Sequence, residues 1–170
     1  MKKIALSLSL VLLISLSFTS CKNEKAKAES NQVKEMQTEF DSIMKETIAI
    51  HDEVMPKMTK INEQLTKLDM NSKKIKKEEF TEATKGLKEG SKAMMSWMKK
   101  FSGNFERNEV NSKIKIQDQD SLKMKLKTLK EFKKSAEDMK EKINSSIEYA
   151  EEVYSQYIEK GDANKLKATP

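Results

Sequence analysis

The segment from Asp120 to Ile158 reads DSLKMKLKTLKEFKKSAEDMKEKINSSIEYAEEVYSQYI, and its apolar pattern decides the fold. Apolar or small side chains recur at every seventh position, with a second apolar stripe beside them. The repeat comprises Leu122, Leu129, Ala136, Ile143, Ala150 and Tyr157. The flanking stripe comprises Phe132, Met139 and Val153. Because seven residues are close to two helical turns, these side chains share one face. The segment is predicted to form a long amphipathic helix, with Asp120 or Ser121 as its N-cap and Gly161 as its stop.

The same period is found in the segment from Asn31 to Leu68, which carries three apolar or near-neutral stripes. The stripes are Val33, Phe40, Thr47, Val54, Ile61 and Leu68; then Met36, Ile43 and Ile50; then Met44, His51, Met58 and Leu65. A face this broad suits a helix that packs on two neighbours. Pro56 removes one backbone hydrogen bond, so we expect a kink near His51 to Val54.

A third amphipathic segment runs from Lys77 to Phe105. Phe80, Leu87, Met94 and Phe101 repeat at seven, and Ala83, Gly90, Trp97 and Met98 lie beside them. Links near 69–76 and 102–119 join the three helices, and short links make neighbours antiparallel. We therefore expect an all-α domain over 31–160, an antiparallel up-down-up three-helix bundle, followed by a tail at 161–170. The alternative is an extended coiled coil that dimerises, although its two-position seam is narrower than these faces.

The N-terminal residues have the form of a secretory signal peptide. Lys2 and Lys3 precede an uncharged, mostly apolar stretch, Ile4 to Phe18, which is too short and too rich in serine for a membrane-spanning helix. Phe18-Thr19-Ser20-Cys21 then resembles a bacterial lipobox. We expect a signal peptide at 1–20 and lipid attachment at Cys21, which would anchor the protein in a membrane.

The residues after the predicted cleavage site complete this assignment. Cys21 is the only cysteine, so the chain has no disulfide framework and no thiolate metal site. The following segment, KNEKAKAES at 22–30, lacks large apolar side chains and is predicted to be a flexible tether. The expected location is the cell envelope, on the periplasmic face of the outer membrane.

Composition and motifs exclude several function classes. Loss of Lys2 and Lys3 with the signal peptide lowers the net charge from +6 to +4, a mild excess. Arg107 is the only arginine and aromatic residues are few, which disfavours nucleic-acid binding. The sequence has no Gly-rich phosphate loop, no His-Glu-x-x-His motif and no recognisable catalytic triad. We expect a protein that is not an enzyme.

A cluster of histidine, methionine and tryptophan is the one group of residues whose chemistry suits a binding site. If the link centres near residues 73 to 74, His51 lies level with about position 96 in the antiparallel helix. The residues expected at this depth are His51, Met55, Met58, Met94, Met95, Trp97 and Met98. Imidazole and thioether ligands suit Cu(I), and an indole can lie over a cation. The ligand types resemble those of periplasmic copper chaperones whose fold is a β-barrel.

Two other interpretations of this cluster stay open. Methionine is flexible and fills irregular core gaps such as the one beside a proline kink, so the cluster can be ordinary core, with His51 bonded to a carboxylate or a freed carbonyl. Axial ligation of haem by histidine and methionine is disfavoured because a three-helix bundle offers little room and no Cys-x-x-Cys-His motif is present.

Two motifs in this cluster carry a resemblance to a known family. HDEVMPKM at 51–58 and MMSWMKKF at 94–101 resemble the twin signatures of small lipoproteins from flavobacteria and their relatives, labelled "viral A-type inclusion protein". INSSI at 143–147 is also similar, and the likeness covers Asp41 to Ala150. The resemblance implies a helical or coiled-coil protein in a Bacteroidota-type envelope. It implies no substrate and no catalytic residue.

Together these observations predict a lipid-anchored, non-enzymatic helical module with a binding or structural role, and a protein partner is compatible with them. The alternatives are a Cu(I)-binding lipoprotein and a coiled-coil self-assembly module.

Overall fold

A computed structural model of the chain describes residues 20–113 and 115–159. These residues are helical apart from short turns and links, and no strand occurs among them, so the all-α prediction is confirmed. Residues 1–19 of the predicted signal peptide and the predicted C-terminal tail, with Gly161, lie outside the described residues. Within the described ranges, no helix combines the length and the apolar character needed to cross a bilayer.

The described residues form five α-helices. They are α1 (Ser20–Val54), α2 (Lys57–Met70), α3 (Lys77–Asn104), α4 (Arg107–Val110) and α5 (Gln119–Tyr154). A 3-10 turn at Ser72–Lys74 lies between α2 and α3, and a π turn at Ser155–Glu159 follows α5. The third long helix was predicted to run regularly to Ile158, but its last residues have the wider π geometry.

The helix predicted from Asn31 to Leu68 is divided into α1 and α2. The division falls at Met55 and Pro56, just after the expected kink, because Pro56 has no N–H group to donate to a carbonyl of the preceding turn. The Met55 N–H still donates to the His51 carbonyl oxygen at 2.8 Å, so α1 closes its last turn normally.

The helical backbone also extends beyond the predicted N-terminal limit. The segment 22–30 was predicted to be a flexible tether, but α1 begins at Ser20 and includes it. The segment is rich in Lys, Glu and Ala, which have high helix propensity, and extending an existing helix requires no new nucleation.

The N-cap of α5 is Asp118 and neither Asp120 nor Ser121. The Asp118 carboxylate accepts a hydrogen bond from the Ser121 N–H at 2.8 Å. Hydrogen bonding from the Ser121 side chain, together with this backbone bond, holds the pKa of that carboxyl below its ordinary value. The cap thus lies two residues before Asp120. Asp118 and Asp120 have similar capping ability, so the sequence did not distinguish them.

Polar pairs show that α1 and α2 run parallel to α5 in one constant register. The pairs, each separated by 87 residues, are Gln32–Gln119, Glu46–Lys133, Glu53–Lys140, Lys57–Asn144 and Gln64–Glu151. Two of these pairs lie beyond Pro56 and keep the same separation. The division between α1 and α2 therefore bends the chain without shifting its register against α5.

The helix α3 runs in the opposite direction to α5. Tyr149 donates to Glu82 at 3.3 Å, and further along α3 the Trp97 indole donates to Ser135 at 3.1 Å. Between these levels Gly90 lies so close to α5 that a Cβ added there would be 3.2 Å from the Ser146 hydroxyl oxygen. Position along α3 therefore rises as position along α5 falls.

The apolar stripes predicted from the sequence form one core between these helices. Its most completely buried large side chains include Phe40, Met44, Val54, Ile61, Leu68, Leu87, Met94, Leu122, Leu129 and Ile143. Burial of a side chain of this size contributes about 1.5–3 kcal/mol.

Candidate functional site

His51 lies in the last turn of α1, immediately before the division at Pro56. Its imidazole stacks on the indole of Trp97, with ring centroids 5.8 Å apart and an angle of 20° between the planes. The prediction that His51 lies level with about position 96 is therefore confirmed, because the contact joins α1 to α3 at that depth.

The two nitrogens of His51 have different surroundings. The Nδ1 atom lies 3.0 Å from the Asp52 carboxylate, which accepts hydrogen bonds and cannot donate one when ionised. The Nε2 atom is buried and has no hydrogen-bond partner. When Nδ1 carries the ring proton, Nε2 has a lone pair that no hydrogen-bond donor satisfies.

Asp52 is the neighbour of His51 that the predicted cluster did not include. Adjacent residues on a helix do not face each other, so the seven-residue period gives no sign of a contact between Asp52 and His51. The Asp52 carboxylate nevertheless reaches back to His51, while Glu53 turns to α5 and bonds Lys140 at 2.7 Å. A carboxylate next to a histidine was the available signal, although only the side-chain conformation shows that the two meet.

Trp97 forms the rigid side of the site. Its indole N–H is shared between the Phe132 carbonyl oxygen at 3.2 Å and the Ser135 hydroxyl at 3.1 Å. The ring also stacks on Phe101 with centroids 4.8 Å apart, and it meets Phe132 edge-on at 6.2 Å. Hydrogen bonds and aromatic contacts to α5 therefore fix the surface on which His51 rests.

The five methionines predicted for this level differ in exposure. Met94 is buried and Met58 is partly buried against the core. Met55 and Met98 are 46% and 38% exposed, and Met95 is 66% exposed. The structure thus places Met94 and Met58 in the protein interior, Met55 and Met98 at its margin and Met95 mainly in solvent.

The charged groups at this level do not supply a conventional site for a hard metal ion. Among residues 20–113 and 115–159, no three side chains drawn from His, Cys, Asp and Glu converge in one place. The Lys140 ammonium group bonded to Glu53 holds the pKa of that carboxyl below its ordinary value. Any metal bound at this level would have to use the thioethers together with His51.

Cys21 lies in the first turn of α1. Lipid attachment at this residue stays a prediction from the sequence.

Comparisons with known proteins give no further assignment. No family model matches the chain, and no curated protein or solved structure is significantly similar to it.

Proposed function

We propose that the protein is a lipid-anchored, non-enzymatic binding or structural module of the bacterial cell envelope. The leader-like sequence and the lipobox ending at Cys21 support the anchor. The periplasmic face of the outer membrane is the location that we propose.

We further propose that the domain is an up-down-up three-helix bundle whose first helix is interrupted at Pro56. The constant separation between the partners of α1, α2 and α5 supports a parallel first and third helix. The reversed contacts of α3 with α5 support an antiparallel second helix.

The observation that carries the binding role is the pattern of exposed apolar side chains. Among the described residues, the large hydrophobic side chains that stay exposed are all methionines: Met55, Met70, Met95, Met98 and Met124. The regular apolar stripes are already buried within one chain, which argues against a self-assembling coiled coil that needs an open seam. Three of the exposed methionines lie at the level of His51, so this level is the best candidate for a binding surface.

Metabolic labelling tests the anchor. The native chain and a Cys21→Ser variant are expressed in a bacterium that is fed labelled palmitate, and extracts are partitioned in detergent. We expect label in the native chain only, because the Cys21→Ser chain has no thiol to acylate. A Ser20→Ala variant is the matched control, since a small residue at that position still satisfies a lipobox. Equal labelling of native and Cys21→Ser chains, or label in neither, would refute the anchor.

Sedimentation tests the alternative of self-assembly. We expect a monomer at micromolar concentrations once the lipid is absent, as in the Cys21→Ser chain. A stable dimer would favour the coiled-coil module instead.

A further inference from the structure

We infer that His51, together with thioethers of methionines that neighbour it and Trp97 along α1, α2 and α3 (Met55, Met58, Met94 and Met98), forms a binding site for Cu(I). This inference deepens the proposed function by naming a ligand of the module. It rests on the binding role and is independent of the lipid anchor.

The hydrogen bonding of His51 is the first observation behind the inference. Metal-binding histidines usually donate one ring N–H to a carboxylate or carbonyl, which fixes the tautomer and leaves the other nitrogen free to coordinate. Here Asp52 lies 3.0 Å from Nδ1, and Nε2 is buried without a partner. A buried polar atom without a partner costs about 1–3 kcal/mol, so a ligand that satisfies Nε2 would recover that energy.

The position of the methionines along the helices is the second observation. Met55 follows His51 by four residues, so both lie on one side of the chain at the end of α1. On α3, the edge that contacts α5 carries Glu82, Glu89 and the indole N–H of Trp97. Met98 lies on the opposite edge of α3.

Met55 and Met98 are both exposed side chains. Methionine has three rotatable side-chain bonds and adapts readily to its surroundings. Both side chains lie partly in solvent, whereas the Trp97 ring is held by α5. The inference requires these thioethers to adjust their rotamers towards Nε2, while the indole side of the site stays fixed.

The chemistry of the ligand atoms determines which metal ion the site would bind. Neutral thioether and imidazole ligands favour soft Cu(I), whereas hard ions require carboxylate or carbonyl oxygens. The carboxylate nearest to the site, Asp52, is bonded to Nδ1, and no cluster of His, Cys, Asp and Glu occurs in the described part of the chain. Zn²⁺ and Ca²⁺ are therefore poor matches to these residues.

The test is a competition titration of the full-length Cys21→Ser chain. This substitution removes a thiol that would itself bind copper, and it leaves the proposed site unchanged. Cu(I) is kept reduced with ascorbate under anaerobic conditions and offered against a chromogenic Cu(I) chelator. We expect one ion per chain, with quenching of the fluorescence of Trp97, the only tryptophan.

Substitutions in the same background separate the site from the rest of the protein. We expect His51→Gln to abolish competition with the chelator, and Asp52→Asn to weaken binding about tenfold or more. The combined Met55→Leu and Met98→Leu variant keeps apolar volume but removes two sulfurs, and it should also weaken binding. Met124→Leu on α5 is the matched control and should bind as the parent chain does.

X-ray absorption gives a readout that does not depend on the stability of a variant. We expect sulfur and nitrogen scatterers around copper in the parent chain, with fewer sulfurs in the double methionine variant. Absence of competition, binding unchanged in the double variant, or a spectrum with oxygen and nitrogen alone would overturn the inference. Copper binding by the unlipidated chain would stand even if the native chain took up no fatty acid, so the two proposals fail separately.

Discussion

The imidazole of His51 stacks on the indole of Trp97, and this contact joins the end of α1 to α3 just before the division at Pro56. Trp97 is in turn bonded and stacked to α5 through Phe132. One buried ring thus connects the three long parts of the chain at a single level.

Removal of the Trp97 ring should destabilise the protein. We expect Trp97→Ala to lower the free energy of unfolding by about 3–5 kcal/mol, because a large core side chain is removed and two helices lose their common contact. Trp97→Phe should cost less, since an aromatic ring still packs against Phe101. Urea unfolding followed by circular dichroism measures both, and a Trp97→Ala chain as stable as a Met124→Ala control would contradict this role.

The helical parts of the fold could be predicted because burial follows the sequence period closely. Leu122, Leu129 and Ile143 were assigned to the core from their seven-residue spacing, and all three are fully buried. The level of His51 against Trp97 was also predictable, since a short link fixes the relative position of two antiparallel helices.

Local choices between similar residues could not be predicted in the same way. Asp118 caps α5 although Asp120 carries the same carboxylate, and α1 continues through 22–30 although nothing apolar marks that segment as helix. Likewise, whether Asp52 bonds His51 depends on a side-chain conformation that periodicity does not describe.

Two glycines on α3 provide a matched test of close packing. At Gly86 an added Cβ would be 3.6 Å from the Ser146 Cβ, an ordinary contact, whereas at Gly90 it would be 3.2 Å from the Ser146 hydroxyl oxygen and 3.4 Å from Ile143. We expect Gly86→Ala to raise the free energy of unfolding by up to about 1 kcal/mol through helix propensity. We expect Gly90→Ala to gain less than this or to lose stability.

Thermal and urea unfolding of the two glycine variants measure the difference. In a Ser146→Ala background the hydroxyl is gone, so Gly90→Ala should improve relative to its effect in the native chain. Equal gains at both glycines in the native chain would show that α3 and α5 are less closely packed than the structure has them.

Acid should weaken the contacts between helices. Bonds to Lys133, Lys140 and Lys142 hold the pKa values of Glu46, Glu53 and Glu89, respectively, below the ordinary value of 4.5. A lowered pKa means that the stabilisation is fully present above the ordinary value and is lost as the pH falls through the lowered one.

The measurement is the free energy of unfolding between pH 7 and pH 3. We expect the native chain to lose stability over the acid end of this range, and a variant with Glu46→Gln, Glu53→Gln and Glu89→Gln to lose less. Added salt should reduce the difference because these groups are at the surface. Identical pH profiles of the two chains would show that these ion pairs contribute nothing.

At alkaline pH the stability contribution of Lys133 changes in the opposite direction. The hydrogen bond to Glu46 raises the pKa of Lys133 above 10.5, so its contribution is present below that value and is lost as the pH rises through the raised one. The Glu46 and Lys133 pair should therefore stabilise the protein across the whole neutral range.

We propose that lipid at Cys21 holds this helical domain to the envelope. Mass spectrometry of the N-terminal peptide, from native protein extracted from bacterial membranes, tests this anchor most directly. We expect the peptide to begin at residue 21 and to carry the mass of a diacylglycerol group with an additional acyl chain. A peptide that retains residues 1–20, or one with an unmodified thiol at Cys21, would contradict it.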